Sequence, residues 1–220
     1  MLPGAAAHAR TPFQVRCEDT ISKTVSVLSS QQNGYRIDTS RSYHLLSQMK
    51  NGARGTVVLG LTRTESRVTI GVGGAMLADK VSGYECVAPH IQVDVNYLPI
   101  IVYIGSELPP DSCAYREVLA HELRHVRAYQ EHLPKVEALV RAALARRFGD
   151  KPLYAPGGQA RALLQREIDT GWMRFIKNEM AKVEALQAAI DTPQEYARLG
   201  KVCAGEVQSL IRPAKRKNNT

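Results

Sequence analysis

No apolar run in these 220 residues approaches the ~20 needed to cross a bilayer as a helix. Trp and Phe are scarce, one and three, and nowhere do these or the nine Tyr interleave with basic residues as base-stacking surfaces do. The net charge of +8 is therefore general surface character, and no nucleic-acid partner is expected. The charge does leave an anionic envelope surface open as an acidic partner. Its bases are dispersed, and only Arg212 to Lys217 forms a compact run, in a polar tail (212–220) expected to be disordered. None of the four cysteines stands in a Cys-x-x-Cys pair, which argues against a cysteine zinc site. Gly71-Val72-Gly73-Gly74 lacks the spacing and the Lys-Ser/Thr of a phosphate loop and reads as a tight bend. There is no internal repeat.

What is present is an ordinary globular composition, 44% hydrophobic and 23% charged, long enough for one domain with its own core. Cys17, Cys86, Cys113 and Cys203 are even in number and widely spaced, which suits two disulfides in an oxidising compartment. Four cysteines allow three connectivities. The favoured one ties the ends through Cys17–Cys203 and the sheet to a helix start through Cys86–Cys113. Residues 1–9 end in Ala7-His8-Ala9, an A-x-A cleavage pattern, and read as the tail of a signal peptide. These features point to a secreted or periplasmic bacterial protein.

The expected fold class is α+β: a mostly antiparallel, β-rich part (10–108) and a helical part (109–211) in a single domain, 10–211. Strands are expected at 55–63, 66–71, 81–87, 91–97 and 100–104, with Ile91, Val93 and Val95 facing one way. The stretch from Val93 to Ile104 is expected to offer an edge for extended peptide. After Pro109-Pro110-Asp111-Ser112, apolar residues at Val118, Leu119, Leu123, Val126 and Tyr129 give a helix to about His132. A second helix is expected over 134–147 and one long helix over 160–190.

Residues 121–125 read His-Glu-Leu-Arg-His in the middle of the first helix. Positions i and i+4 share a helix face, so His121 and His125 can aim at one metal ion. Glu122 can then act as general base toward a water at that ion. Chance would supply roughly 0.01 such matches in a chain of this composition.

On these residues, with a strand just upstream, the chain resembles the zincin metallopeptidases. The resemblance covers about a fifth of the chain. It implies a zincin-like fold, Zn2+ as cofactor, and hydrolysis of a peptide or protein substrate. The alternative is a catalytically inactive zincin-fold binding protein of the cell envelope. Zincins whose third ligand is a glutamate on a later helix are the gluzincins. Here the apolar stripe of 160–190 has a gap at Glu179, which nominates it as the third ligand. No Glu-x-x-x-Asp follows the motif, unlike most gluzincins. Glu195 is the alternative, because secreted bacterial predicted zinc proteases are similar in outline and carry an acidic-Thr motif after a long helix. In this sequence that motif is Asp191-Thr192, which also reads as a helix start. Glu131 stands where metzincins have a third histidine, but Ala128 replaces their glycine.

Overall fold

The computed structural model describes residues 10–21, 25–50, 57–149 and 152–211. The expectations for 1–9 and 212–220 lie outside the described residues. The elements are α1 (Pro12–Thr20), β1 (Val25–Gln32), β2 (Tyr35–Asp38), α2 (Tyr43–Met49), β3 (Gly60–Arg63), β4 (Ser66–Asp79), β5 (Tyr84–Tyr97) and β6 (Ile100–Ile104). Then follow α3 (Cys113–Phe148), β7 (Leu153–Pro156), α4 (Ala160–Glu167), α5 (Met173–Ala181), α6 (Val183–Ile190), α7 (Pro193–Leu199) and α8 (Glu206–Ile211). The architecture is α+β with open sheets. Among the described residues no helix is long and apolar enough to cross a membrane.

The chain divides into two compact units. One comprises Met1–Ser30, Val68–Val95 and Val136–Asn178. Its strands are ordered β1-β5-β4, and β7 pairs antiparallel with the start of β5, Tyr84 opposite Pro156. Ile91, Val93 and Val95 are fully buried on alternate positions of β5, as their pattern dictates. Gly71 to Gly74 do not bend the chain; they run inside β4. Gly74 has φ 133°, and an added Cβ would lie 2.0 Å from the Ala88 carbonyl oxygen, so only glycine fits against β5. The turn comes instead at Lys80–Gly83, where Asp79 accepts from Ser82 N–H and Arg16. Phe13 and Cys17 of α1 pack on Cys86 and Ala88 of β5, and Cys17 is bonded to Cys86. Glu85 is buried and accepts from the N–H groups of Gly158 and Ala160 at the N-terminus of α4, which has no side-chain cap of its own.

The other unit comprises Gln31–Arg67, Asn96–Lys135 and Glu179–Thr220. Its sheet is ordered β2-β6-β3. β6 runs parallel to β2, Tyr35 opposite Ile100, and antiparallel to β3, Gly60 opposite Ile104. The Ile100 to Ile104 stretch is thus an interior strand, and the edge expected there falls to β3. Ile100, Val102 and Ile104 pack with Leu59, Leu108, Ala114, Val118, Val126 and Val207, joining the sheet to α3 and α8. Ser112 Oγ accepts from Tyr115 N–H and Glu206 from Ala114 N–H, which caps the start of α3. Cys113 is bonded to Cys203. The four cysteines pair as Cys17–Cys86 and Cys113–Cys203, not as the sequence reading favoured. The Cα separations of 6.6 and 5.6 Å are those a disulfide can span.

The helical half departs from expectation in two places. Pro134 does not divide α3, which is a single helix of 36 residues. The stretch 160–190 is not one helix. A π-helical segment, Ile168–Trp172, interrupts it, and it breaks again at Lys182.

Candidate metal centre

His121 and His125 lie one turn apart on α3 and are both buried. Their Nε2 atoms are 3.3 Å apart. Asp191 places Oδ1 3.2 Å from each of them. It reaches this point because α6 stops at Ile190 and α7 starts at Pro193. Asp191 closes the first helix, and Thr192 caps the second by accepting from Glu195 N–H. The sequence reading of Asp191-Thr192-Pro193 as a helix start is therefore right locally, and the same break delivers the carboxylate.

The far sides of these three groups are also held. Gln187 sets Oε1 against His125 Nδ1 and donates from Nε2 to the His125 carbonyl at 3.3 Å. Glu195 lies with Oε1 3.3 Å from His121 Nδ1. Arg124 Nη2 lies 2.7 Å from that same ring nitrogen and donates to the same Glu195 oxygen. Arg198 grips Glu195 through Nε and Nη2 and ties it to Glu117 at 2.8 Å. Arg198 is the main reason that the Glu195 carboxyl is held down to about 2, with His121 and Arg124 adding to it. Lys50, at the C-terminus of α2, donates to the other Asp191 oxygen at 3.1 Å and lies 3.3 Å from the Tyr196 hydroxyl. Burial alone would raise the Asp191 carboxyl, but its contacts with His121, His125, Tyr196 and Lys50 hold it far below the usual carboxylate range.

With Nδ1–H of His125 turned toward Gln187, its Nε2 carries a lone pair. At His121 Nδ1 the two neighbours pull in opposite directions, since the Arg124 guanidinium donates and the Glu195 carboxylate accepts. Two ring nitrogens and a carboxylate oxygen thus converge at 3.2–3.3 Å, contacts that ring protons donated to Asp191 or a cation between the three would satisfy. A donor triangle with those edges fits a tetrahedral ion with bonds of about 2.0 Å, the Zn–N and Zn–O length. Two imidazoles and one carboxylate also match the donor set of catalytic zinc sites, which keep a fourth position open.

Glu122 lies beside this group on α3 and is buried against β3. Thr62 donates to its Oε2 at 2.8 Å. Burial raises the Glu122 carboxyl, with the Thr62 hydrogen bond and the two histidines acting the other way. A cleft of about 650 Å³ opens over these groups, with Lys50, Tyr129 and Tyr196 among the residues on its wall.

Glu179 is not among the converging groups. Both its oxygens are taken by Lys182, at 2.6 and 2.7 Å. The buried positions past the π-helical segment are Ile176, Met180 and Val183, so Met180 fills the place that the stripe assigned to Glu179. Glu131 is exposed and takes no part. Glu195 is present as a partner of His121 rather than as one of the converging donors. Gln187, Lys50 and Thr62 were missed as site residues, and Asp191 was named in the acidic-Thr motif but Glu195 was preferred to it. A signal for two of them was there: Gln187, Asp191 and Glu195 recur every four residues, a polar stripe at helical spacing.

Comparison with protein-family models, curated proteins and solved structures gives no match.

Proposed function

We propose that this chain is a secreted or periplasmic zinc-dependent peptidase of zincin-like fold, with His121, His125 and Asp191 as the metal donors and Glu122 as general base. The observation that carries the reading is the convergence of the three donor atoms at 3.2–3.3 Å, with both imidazoles held from behind. The two disulfides support an exported protein.

Zinc bound by these donors supplies a Lewis acid that polarises a carbonyl oxygen and acidifies water. Glu122 takes the proton of the attacking water and returns it to the leaving amine, a role that suits a buried carboxylate with a raised pKa. Lys50 presents N–H donors on the cleft wall, where they can stabilise negative charge developing on the carbonyl oxygen. β3 lines the same cleft at Gly60, Leu61 and Thr62, and it is an edge of its sheet among the described residues. An extended peptide can add to it by main-chain pairing.

The test is metal content and casein hydrolysis of the purified protein, with Glu122→Gln as control. One zinc per chain, hydrolysis lost with chelator, and a variant that keeps zinc but loses turnover support the reading. Zinc without turnover in the unaltered protein points to a binding protein instead. Absence of stoichiometric metal overturns both.

A further inference from the structure

We propose that Thr62 is a positioning residue for Glu122, fixing which carboxylate oxygen is free to handle a proton; the inference rests on the peptidase reading above. Gly60 and Thr62 are two apart on β3, so both look toward α3, while Leu61 between them packs on the other side with Leu46, Val58 and Tyr103. The Glu122 side chain lies flat on this face. A Cβ at Gly60 would be 2.6 Å from Glu122 Oε1, 2.8 Å from its Cγ and 2.7 Å from Val118 Cγ1. No other residue leaves room for the carboxylate there. Thr62 Oγ1 then donates to Oε2 at 2.8 Å, with the Glu122 carbonyl at 3.2 Å as its second acceptor.

The hydroxyl has one proton to give, and the carboxylate is the charged and closer acceptor. Oε2 is thereby committed to β3. Oε1, with no such partner, is the oxygen left for the reacting water. Glu122 has three rotatable bonds of its own and is held at this end by a single hydrogen bond. Without that bond the carboxylate loses its defined setting, and general-base catalysis depends on geometry at the level of an ångström. Thr62 lies outside the metal-donor set, so its role is separable from metal binding.

The experiment compares Thr62→Val, which keeps the shape and removes the hydroxyl, with Thr62→Ser, which keeps the hydroxyl. Crystal structures of both and of the unaltered protein give the Glu122 carboxylate position. Zinc content and casein hydrolysis complete the set. Thr62→Val is expected to keep one zinc, keep KM and lose roughly 10- to 100-fold in kcat. Its Glu122 carboxylate should leave the β3 face. Thr62→Ser should restore the carboxylate position and kcat to within about threefold. A Thr62→Val carboxylate still in place, or a Thr62→Ser variant as impaired as Thr62→Val, overturns the proposal. If the unaltered protein hydrolyses nothing, the peptidase reading fails by itself, and the carboxylate position still decides what Thr62 does.

Discussion

Gln187 holds His125 at two points, with Oε1 against the ring Nδ1 and Nε2 on the main-chain carbonyl. Reversing the amide would set an oxygen against the carbonyl and an N–H against Nδ1–H. The pair therefore fixes both the glutamine orientation and the histidine tautomer. A glutamine 62 residues further along the chain, on α6, thus decides which nitrogen of His125 is available at the site.

The first prediction concerns the donors. His121→Ala, His125→Ala and Asp191→Ala should each abolish stoichiometric zinc, measured by elemental analysis after dialysis against a weak chelator. Glu179→Ala should leave zinc unchanged, because its carboxylate is engaged with Lys182. Zinc retained by Asp191→Ala would remove Asp191 from the donor set.

A graded effect is expected one step further out. Glu195→Ala and Gln187→Ala should weaken zinc binding roughly 10- to 100-fold without abolishing it, since each removes an acceptor that orients an imidazole from behind. Competition with a fluorescent chelator measures this. Unaltered affinity in both variants would mean that the histidines orient themselves.

The two disulfides should be separable by function. Peptide mapping without reduction should recover Cys17 with Cys86 and Cys113 with Cys203. Replacing either pair by serine should cost about 2–5 kcal/mol in denaturant titrations. Only loss of Cys113–Cys203 should also weaken zinc, because Cys203 follows Asp191 and Glu195 on the segment that faces α3. Equal zinc affinities in the two double variants would refute that link.

Glu85 gives a pH-dependent stability. Hydrogen bonds from the N–H groups of Ala160 and Gly158 hold its carboxyl below the ordinary value of 4.5. A depressed folded value means that the stabilisation is complete above about pH 4.5 and is lost as pH falls through the depressed value. Glu85→Gln should therefore melt lower than the unaltered protein at pH 7, and the gap should narrow under acid. A gap that ignores pH would show that the contribution is packing rather than charge.

The histidine pair was legible in the sequence because it depends on local helical geometry alone. So was the buried face of β5, set by a period of two. The disulfides were legible in number but not in partner, since Cys17 could be paired only by knowing that α1 lies on β5. Glu179 was misplaced because a stripe counted at a uniform 100° per residue does not survive a π-helical segment. Asp191 was seen in the acidic-Thr motif but passed over in favour of Glu195, for a different reason. It ends one helix just before another begins, and a carboxylate there is usual without any ligand. Its role emerges only when that break is set against His121 and His125.

The Cys113–Cys203 bond carries a consequence for the order in which the site comes together. Along the chain alone, His121 and Asp191 are separated by 70 residues. Through the disulfide a shorter route exists, eight residues from His121 back to Cys113 and twelve from Asp191 on to Cys203. Closing the shorter loop costs roughly 1 kcal/mol less, which raises the effective concentration of the carboxylate near the imidazoles several-fold. If the three groups hold a metal, as proposed, oxidation of this pair would favour its capture. Zinc affinity should then be several-fold lower with Cys113 and Cys203 reduced than with them joined.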